Sequence, residues 1–343
     1  MIIKDIRDVL LSHIKSGDDP LNKIIGQKDA KKKILSSLLA GHHILIEGNP
    51  GVGKTTLAKY IAGILPDIKG VKGCPYHCEI ANPACPICKN KKKTGESLEE
   101  EVIPGYKRFV RIQGSPDLTA EDLMGDIDPS KAFEYGPQDY RAFTPGKLLK
   151  GNKGIVFFDE LNRVSEKLQN ALLQVLEEGV ATIGPYDVDY PSDFIMIATM
   201  NPKERAGVEE LSDVLLDRFD IAKMTYPESD AEDKRIIMEN SEHAREIKVP
   251  EEIIDLIVKL IRTTRSEDWA KDLEQGASAR AAISLYEKVQ ASALLDCRDT
   301  VTLDDVREMA FSSVLGRIKP SSSSQHYDDP AAIMDLILEE VLP

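Results

Sequence analysis

The stretch His42–Ala58, HHILIEGNPGVGKTTLA, decides the fold of this chain. Its apolar run Ile44–Ile46 is typical of a short buried strand, and a helical pattern begins at about Lys54. Between them, GNPGVGKT fits the pattern G-x-x-x-x-G-K-[ST] in full. In this strand–loop–helix context, the pattern predicts backbone N–H groups wrapped around phosphates, with the positive end of the following helix facing the same anion.

The pattern predicts roles for the glycines, for Lys54 and for Thr55 of this loop. The glycines allow the turn that points N–H groups inward. Lys54 is expected to reach the β and γ phosphates, and the Thr55 hydroxyl is expected to ligate Mg²⁺. A chance glycine loop is the alternative, and the strand before it and the helix after it disfavour that reading. The predicted nucleotide-binding residues of the loop are Gly48, Asn49, Pro50, Gly51, Val52, Gly53, Lys54, Thr55 and Thr56.

A second acidic site is predicted where the apolar run Ile155–Phe158 ends in Asp159 and Glu160. At the carboxyl edge of a parallel sheet such acids face the ligand crevice. Asp159 is expected to hold Mg²⁺ through a water molecule, and Glu160 to polarise the attacking water. Because neighbouring strand residues point to opposite sides, the strand should end at about Asp159. The alternative is an ordinary pair of surface acids.

The order of elements predicts an α/β fold. Strands alternate with helices up to about residue 225, which implies a parallel sheet sandwiched by helices. The chain then turns wholly helical, with a capping-box pattern at Thr302-x-x-Asp305. We therefore predict an N-terminal helix (1–22), a P-loop core (23–225) with a Cys-rich insertion (66–107), an all-α lid (226–316), and a linker with a tail helix (317–343).

Taken together, these segments resemble the AAA+ superfamily, in the branch of MoxR-type ATPases and the magnesium-chelatase ATPase subunit. The resemblance covers roughly residues 23–316, and its segments occur in the order of the family. The matching segments are IIGQ (24–27), the phosphate-loop stretch, GIVFFDELNRV (154–164), GVATIGPYDVDYPSDFIMIATMNP (179–202) and LLDRFD (215–220).

The resemblance implies further site residues. Ile25 would lie beside the adenine, and Asn201 would act as sensor 1, which orients the lytic water. Arg218 would be the arginine finger that reaches the nucleotide of a neighbouring subunit. Arg280 would be sensor 2 on the lid, acting on its own or a neighbour's nucleotide. The alternatives are an Asn-Pro turn for Asn201, a surface ion pair with Asp217 or Asp220 for Arg218, and a solvated arginine for Arg280.

The resemblance also implies two projecting segments, an insert within residues 116–143 and a hairpin over Val180–Tyr190, which would turn at Gly184-Pro185. In the family both face a central pore or a partner. The alternative for the insert is an ordinary long surface loop.

Four cysteines are clustered as Cys74-x3-Cys78-x6-Cys85-x2-Cys88. Four thiolates can complete a closed tetrahedral site, and a metal would order a segment with few core residues. In a chain expected to be cytosolic, this clustering favours a metal over disulfides or free thiols. Zinc is favoured over an iron–sulfur cluster, although four tetrahedral sulfurs permit either. His77 is available as a substitute ligand, although four cysteines already suffice. Cys297 stands apart and is predicted to be a small buried hydrophobe.

The charge balance bears on partners and location. The formal net charge is −14, which disfavours sequence-independent nucleic-acid binding because phosphate contacts need clustered Lys and Arg. No run of ~18 apolar residues exists that could span a bilayer. The first twenty residues lack a signal-peptide core. A cytoplasmic protein without a membrane partner is therefore expected.

Three functions remain open on these grounds. The leading hypothesis is an oligomeric ATPase motor, implied by the resemblance to be a hexameric ring that remodels a separate partner, with a von Willebrand factor A (VWA) domain protein as one candidate. The second is the ATPase subunit of a metal chelatase. The third, a nucleic-acid motor, is disfavoured because Val180–Tyr190 carries two acids and no Lys or Arg.

Overall fold

The computed structural model describes residues 2–183, 188–201, 210–242 and 246–342. The chain divides into two compact units. The first unit contains the chain up to Ile24, Lys28–Asn49 and Gly53–Met224, and the second contains Ile25–Gln27, Pro50–Val52 and the chain from Thr225 onward.

The first unit carries most of the regular structure. Its helices are α1 Ile2–Ser16, α2 Lys28–Ala40, α3 Lys54–Gly63, α4 Pro86–Thr94, α5 Ala120–Met124, α6 Pro129–Tyr135, α7 Lys147–Lys150, α8 Glu166–Glu178 and α9 Asp213–Leu216. Its strands are β1 His43–Glu47, β2 Ile68–Val71, β3 Glu100–Ile103, β4 Phe109–Gln113, β5 Gly125–Ile127, β6 Phe143–Pro145, β7 Ile155–Asp159, β8 Val180–Ile183, β9 Val188–Pro191, β10 Ile195–Met200 and β11 Phe219–Lys223.

A parallel sheet forms the centre of the first unit. Among the described residues it has five strands in the order β11-β1-β10-β7-β4. The middle strands are apolar on both faces because helices cover both sides, and the first four residues of β7 are fully buried. The predicted fold class is therefore confirmed. In the described part of this unit, antiparallel pairs are formed by β2 with β3, β5 with β6 and β8 with β9, which accounts for the less regular stretches of the sequence.

The predicted hairpin and insert take defined positions in the chain. Strands β8 and β9 pair antiparallel from Val180↔Pro191 to Ile183↔Val188, and the predicted turn at Gly184-Pro185 lies outside the described residues. Helix α6 stands between the paired strands β5 and β6 and exposes 96% of the Phe133 side chain.

His43 starts the central strand β1 and is a buried titratable group of the sheet. Its Nδ1 accepts the Met196 N–H of β10 at 3.0 Å. Burial lowers the pKa of His43 from 6.5 to about 4, and the backbone of Leu176 opposes this effect. The neutral ring therefore belongs to the folded state, and protonation would remove its acceptor for Met196.

This arrangement predicts acid sensitivity of the fold. Between pH 6.5 and 4 the His43 imidazole is protonated in the unfolded chain but neutral in the folded chain. The stability is therefore fully present above pH 6.5 and falls as the pH drops towards 4. The His43 share of the loss should be about 2 kcal/mol at pH 5. Urea unfolding at pH 7.5 and 5 measures it against His43→Gln, which keeps an acceptor but does not titrate. Equal pH dependence of the two proteins would contradict this assignment.

The second unit is built from helices around its own core. Its helices are α10 Asp230–Asn240, α11 Glu251–Thr263, α12 Ala279–Leu295, α13 Leu303–Val314 and α14 Pro330–Val341, and its short strands are β12 Leu273–Gln275 and β13 Lys319–Pro320. The predicted capping box is confirmed at the start of α13, where Thr302 and Asp305 bond reciprocally. Helix α14 buries Ile333, Ile337 and Val341 in the same apolar cluster as α11.

No helix within the described parts of the chain combines the length and apolar character needed to cross a bilayer.

Candidate nucleotide site and cysteine cluster

The carboxyl ends of four parallel strands bring the predicted catalytic groups of the first unit, apart from Arg218, to one edge. Register places Glu47 opposite Met200, and Gln113 opposite Asp159, while β7 and β10 are paired through Ala198 and Phe158. The loop that begins at Gly48, the acids Asp159 and Glu160, and Asn201 therefore all follow strand ends at the same edge of the sheet. This is the crevice edge at which open parallel sheets bind ligands.

The phosphate loop has the backbone that its glycines predict. Gly51 and Gly53 have φ values of +79° and +95°, in the left-handed region that favours glycine. Helix α3 begins directly afterwards at Lys54, and Thr55 and Thr56 lie in its first turn. The Lys54 ammonium donates to the carbonyls of Gly48 at 2.6 Å and Asn49 at 3.1 Å. It thus lies across the mouth of the loop, where a phosphate would replace these acceptors.

Asp159 and Glu160 are placed by the end of β7. The strand ends at Asp159, as expected from the sequence, and Glu160 takes a left-handed conformation with φ +56°. Thr199 of β10 ties the two acids together. Its hydroxyl donates to Asp159 Oδ1 at 2.7 Å and accepts the Glu160 N–H at 2.9 Å.

Strand β4 supplies two further polar side chains that sequence reasoning missed. Gln113 donates to Glu160 Oε2 at 2.8 Å, and Arg111 donates to Asp159 Oδ2 at 2.7 Å. Gly114, which follows β4, donates to the Asp159 carbonyl at 2.7 Å, and a Cβ on Gly114 would lie 2.0 Å from the Glu160 carbonyl oxygen. The alternation of Arg111 and Gln113 on one face of β4 was the available signal, because residues two apart in a strand share a face.

Arg218 lies at the amino ends of the parallel strands, whereas the phosphate loop follows the carboxyl end of β1. It immediately precedes β11, whose first residue Phe219 pairs with His43 at the start of β1. Its guanidinium pairs with Glu177 at 3.0 Å and with Asp217 at 3.5 Å. The other acid considered from the sequence, Asp220, instead contacts the imidazole of His42 at 2.9 Å.

The second unit contains the remaining predicted nucleotide contacts. Ile25 is buried there, and Arg280 is exposed in the first turn of α12. Pro50–Val52 belongs to the same unit, and a Cβ on Gly51 would come within 2.3 Å of Ser278 Oγ and 3.9 Å of Arg280 Cγ. Only glycine therefore fits at position 51, and the Arg280 side chain starts beside this part of the phosphate loop.

The four clustered cysteines converge although up to 14 positions separate them. Their Sγ atoms all lie within 4.8 Å of one another, and those of Cys74 and Cys85 are 3.9 Å apart. Four sulfurs at ~2.3 Å from one central ion form a tetrahedron with edges of about 3.8 Å. The observed spacing fits a single ion. A multi-iron cluster divides its four cysteines among different iron atoms and therefore needs wider spacing between sulfurs on different irons.

Hydrogen bonds and charge also suit a metal in this cluster. Cys78 Sγ accepts the N–H groups of Ala84 at 3.3 Å and Cys85 at 3.2 Å, and Cys85 Sγ accepts that of Cys88 at 3.4 Å. The thiols of Cys78 and Cys85 lower the pKa of Cys74 by hydrogen bonding to its thiolate. Burial raises the pKa of Cys88 to about 12. A cation at the centre would allow all four groups to be thiolates together.

The loop between the first two cysteines anchors the insertion to the rest of the unit. Tyr76 stacks on Tyr190 of β9, with ring centroids 5.2 Å apart, and its carbonyl accepts the Asn152 side chain at 2.7 Å. His77 Nδ1 lies 2.8 Å from the Asn152 carbonyl oxygen, so this ring nitrogen is engaged with the backbone. The segment therefore has more core than its composition suggested, and the four cysteines form part of it.

Cys297 corrects one prediction from the sequence. It was expected to be a small buried hydrophobe on a helix, but it is exposed. It follows the end of α12 in a left-handed conformation with φ +55°, where the chain turns away from the core. The apolar residues before it suggested burial, yet Leu295 is also 84% exposed.

A phosphate loop, an acid pair and a helical second unit define a P-loop ATPase, and comparisons with known proteins agree. Three family models match: the ATPase family associated with various cellular activities over residues 93–221, magnesium chelatase subunit ChlI over 20–74, and the AAA lid domain over 266–336.

Individual relatives point in the same direction. A magnesium-chelatase subunit ChlI homolog of Methanocaldococcus jannaschii is 30% identical over 313 residues, covering 84% of this chain and 82% of the relative. The chloroplastic magnesium-chelatase subunit ChlI-2 of Arabidopsis thaliana is 31% identical and covers 78% of this chain and 60% of the relative.

A solved structure shows the same fold. It is a chain of the complex between the magnesium-chelatase subunits BchI and BchD, based on a single-particle cryo-EM reconstruction. Its TM-score is 0.50 at 21% identity, with 94% of this chain and 99% of that chain covered.

The chain belongs to the AAA+ ATPases of the MoxR and magnesium-chelatase ChlI branch. It is an ATP-hydrolysing enzyme.

Proposed function

We propose that this ATPase works as a ring, hexameric by analogy with its family, in which Arg218 of one copy completes the nucleotide site of the next. The ring would use hydrolysis to remodel a separate partner protein. The observation that carries the proposal is the position of Arg218 at the sheet edge opposite the phosphate loop.

The nucleotide chemistry is assigned to residues at the crevice edge. Lys54 and the loop amides would hold the phosphates, and Thr55 and Asp159 would hold the magnesium ion, which supplies charge neutralisation at the phosphate oxygens. Glu160 would accept a proton from the attacking water on a carboxylate oxygen, and Asn201 would orient that water. Ile25 would contact the adenine, and Arg280 would contact the phosphates of its own or a neighbouring copy's nucleotide.

Geometry argues against Arg218 acting on its own nucleotide. Arg218 lies beside the start of β1, and Gly48 follows the end of this five-residue strand. At the rise of a β-strand the two residues are about 15 Å apart along the strand direction. An arginine side chain is shorter than this distance. Its partners Glu177 and Asp217 are more than half exposed, and such surface pairs exchange readily for a phosphate of a neighbouring copy.

A mixing experiment tests action between copies. Arg218→Ala lacks the finger but keeps its phosphate loop, whereas Lys54→Ala lacks nucleotide binding but keeps the finger. Each protein alone should lose at least about 100-fold in turnover. In a closed ring assembled from equal amounts, about a quarter of the sites would pair an intact loop with an intact finger, so ATPase activity should reappear.

The exposed Arg235, paired with Glu239 on α10, supplies the matched control. Arg235→Ala should retain wild-type turnover. Wild-type turnover in Arg218→Ala would remove the finger role. An inactive mixture, with assembly verified by light scattering, would place the finger within its own copy.

A role as the ATPase subunit of a metal chelatase is the second candidate. It is favoured by 30% identity over most of the chain to a magnesium-chelatase subunit ChlI homolog. Its partner would be a separate subunit, and a VWA-domain protein fits the family resemblance. Metal insertion into a tetrapyrrole, assayed with co-purifying proteins, separates this role from other remodelling. A stable partner that supports ATPase stimulation but no insertion would exclude it.

We also propose that Cys74, Cys78, Cys85 and Cys88 hold one zinc ion. The proposal is supported by the spacing of the sulfurs, which suits a single tetrahedral ion. Four protein ligands leave no position open for substrate, so the ion would be structural. It would fix the loop that carries Tyr76 against Tyr190 at the base of the β8–β9 pair.

A further inference from the structure

Two side chains of β4 form a polar row beside the acid pair. β4 runs parallel to β7 with Gln113 opposite Asp159. Arg111 stands two residues earlier and therefore on the same face of the strand. This register brings a guanidinium and an amide to acids that are almost fifty positions away in the sequence.

Arg111 occupies one oxygen of Asp159. Its Nη2 lies 2.7 Å from Asp159 Oδ2, while Oδ1 accepts the Thr199 hydroxyl at 2.7 Å. The Asp159 side chain is 16% exposed and that of Arg111 is 49% exposed. Each Asp159 oxygen therefore has a side-chain partner, and a cation that binds through Oδ2 must displace Arg111.

The same guanidinium sets the direction of the Gln113 amide. Arg111 Nη2 also donates to Gln113 Oε1 at 3.2 Å. Arginine has no acceptor, so it requires the oxygen of the amide to face it. The nitrogen of the amide then faces Glu160, where it donates to Oε2 at 2.8 Å, and Arg163 Nε lies 3.3 Å from the same oxygen. Glu160 is thereby held by Gln113 whenever Arg111 is in place.

We propose that Arg111 is a positioning residue of the ATPase site that holds Oδ2 of Asp159, the oxygen offered to the cation, and must release it for a divalent ion. The inference rests on the proposed role of Asp159.

The competition between Arg111 and the cation can be measured. Mg²⁺ enters such sites bound to the nucleotide phosphates. Displacement of Arg111 should therefore weaken binding of the Mg²⁺–nucleotide complex and leave binding of the metal-free nucleotide unchanged. The quantity to measure is the ratio of two dissociation constants for a fluorescent, non-hydrolysable ATP analogue, one in EDTA and one in saturating Mg²⁺. General damage to the pocket raises both dissociation constants alike, so its effect cancels in this ratio.

Arg111→Met should raise this ratio about three- to tenfold, because it removes a competing charge next to a largely buried carboxylate. Arg111→Lys, which keeps the charge, should stay within about twofold of the wild type. Arg111→Gln, which is neutral but polar, should behave like Arg111→Met, and it keeps the test available if the apolar variant unfolds. Arg235→Met is the matched surface control and should leave the ratio unchanged.

Asp159→Asn tests the cation role of Asp159 separately from the role of Arg111. It should lower the ratio well below that of the wild type if Asp159 serves the cation. A normal ratio in Asp159→Asn would remove the proposed role of that carboxylate. A low ratio in Asp159→Asn together with an unchanged or lowered ratio in Arg111→Met and Arg111→Gln would overturn the Arg111 inference alone.

Discussion

Replacing Glu160 with Gln should reduce steady-state ATP hydrolysis by about 10²- to 10⁴-fold, the range expected for the loss of a general base. The amide has almost the same shape but cannot accept the proton of the attacking water. Nucleotide binding should remain, because the phosphates are assigned to Lys54 and the loop amides. Phosphate release and equilibrium binding of a fluorescent ATP analogue measure the two properties separately.

Two further variants make this result specific. Glu166→Gln removes a carboxylate from the exposed first turn of α8, six positions further along, and should retain wild-type turnover. Lys54→Ala should lose binding as well as hydrolysis, since its ammonium is the positive side chain at the loop mouth. Hydrolysis at the wild-type rate in both Glu160→Gln and Lys54→Ala would show that the nucleotide site lies elsewhere.

Loss of the metal proposed for the four cysteines should produce the second large effect, which is structural. Elemental analysis of the protein should find one zinc per chain, and Cys78→Ser or Cys85→Ser should lose it. The binding energy of a structural zinc is also folding energy, on the order of 10 kcal/mol in small zinc domains. Without the metal the insertion should therefore lose its order, because four crowded thiols replace an ion that holds them together.

Hydrogen–deuterium exchange locates this effect. Amides of residues 74–88 should lose protection by more than about 100-fold in the metal-free protein, a local change well below the stated binding energy. Faster exchange should extend to Tyr190, because Tyr76 stacks on it. The exposed Cys297 gives the matched control, and Cys297→Ser should keep both metal and protection. Full protection after complete metal removal would show that the insertion is held by its apolar contacts alone.

Visible absorption and metal content distinguish zinc from iron at this site. A zinc–thiolate site is colourless in the visible range because zinc(II) has a filled d shell. An iron-containing site would be coloured and would respond to reduction. One iron per chain would preserve the single-ion geometry and replace zinc, whereas several irons per chain would contradict the spacing of the four sulfurs.

The sequence by itself determined the features that use contiguous residues. A phosphate is bound by successive backbone amides, so the loop around Lys54 is complete within one short stretch. The buried strand ending at Asp159 was equally local, because an apolar run that stops at an acid marks a strand end. The same holds for the capping box at Thr302, which needs only residues three positions apart.

Only the tertiary structure decided which distant residues meet. The contacts of Arg111 and Gln113 with the acid pair depend on the register between β4 and β7, which no local periodicity encodes. The same applies to Arg218, whose place at the far edge of the sheet follows from the pairing of β11 with β1. The exposure of Cys297 depended on where a helix leaves its core. Side-chain spacing fixes a motif within one element, whereas strand order and register fix what lies across from it.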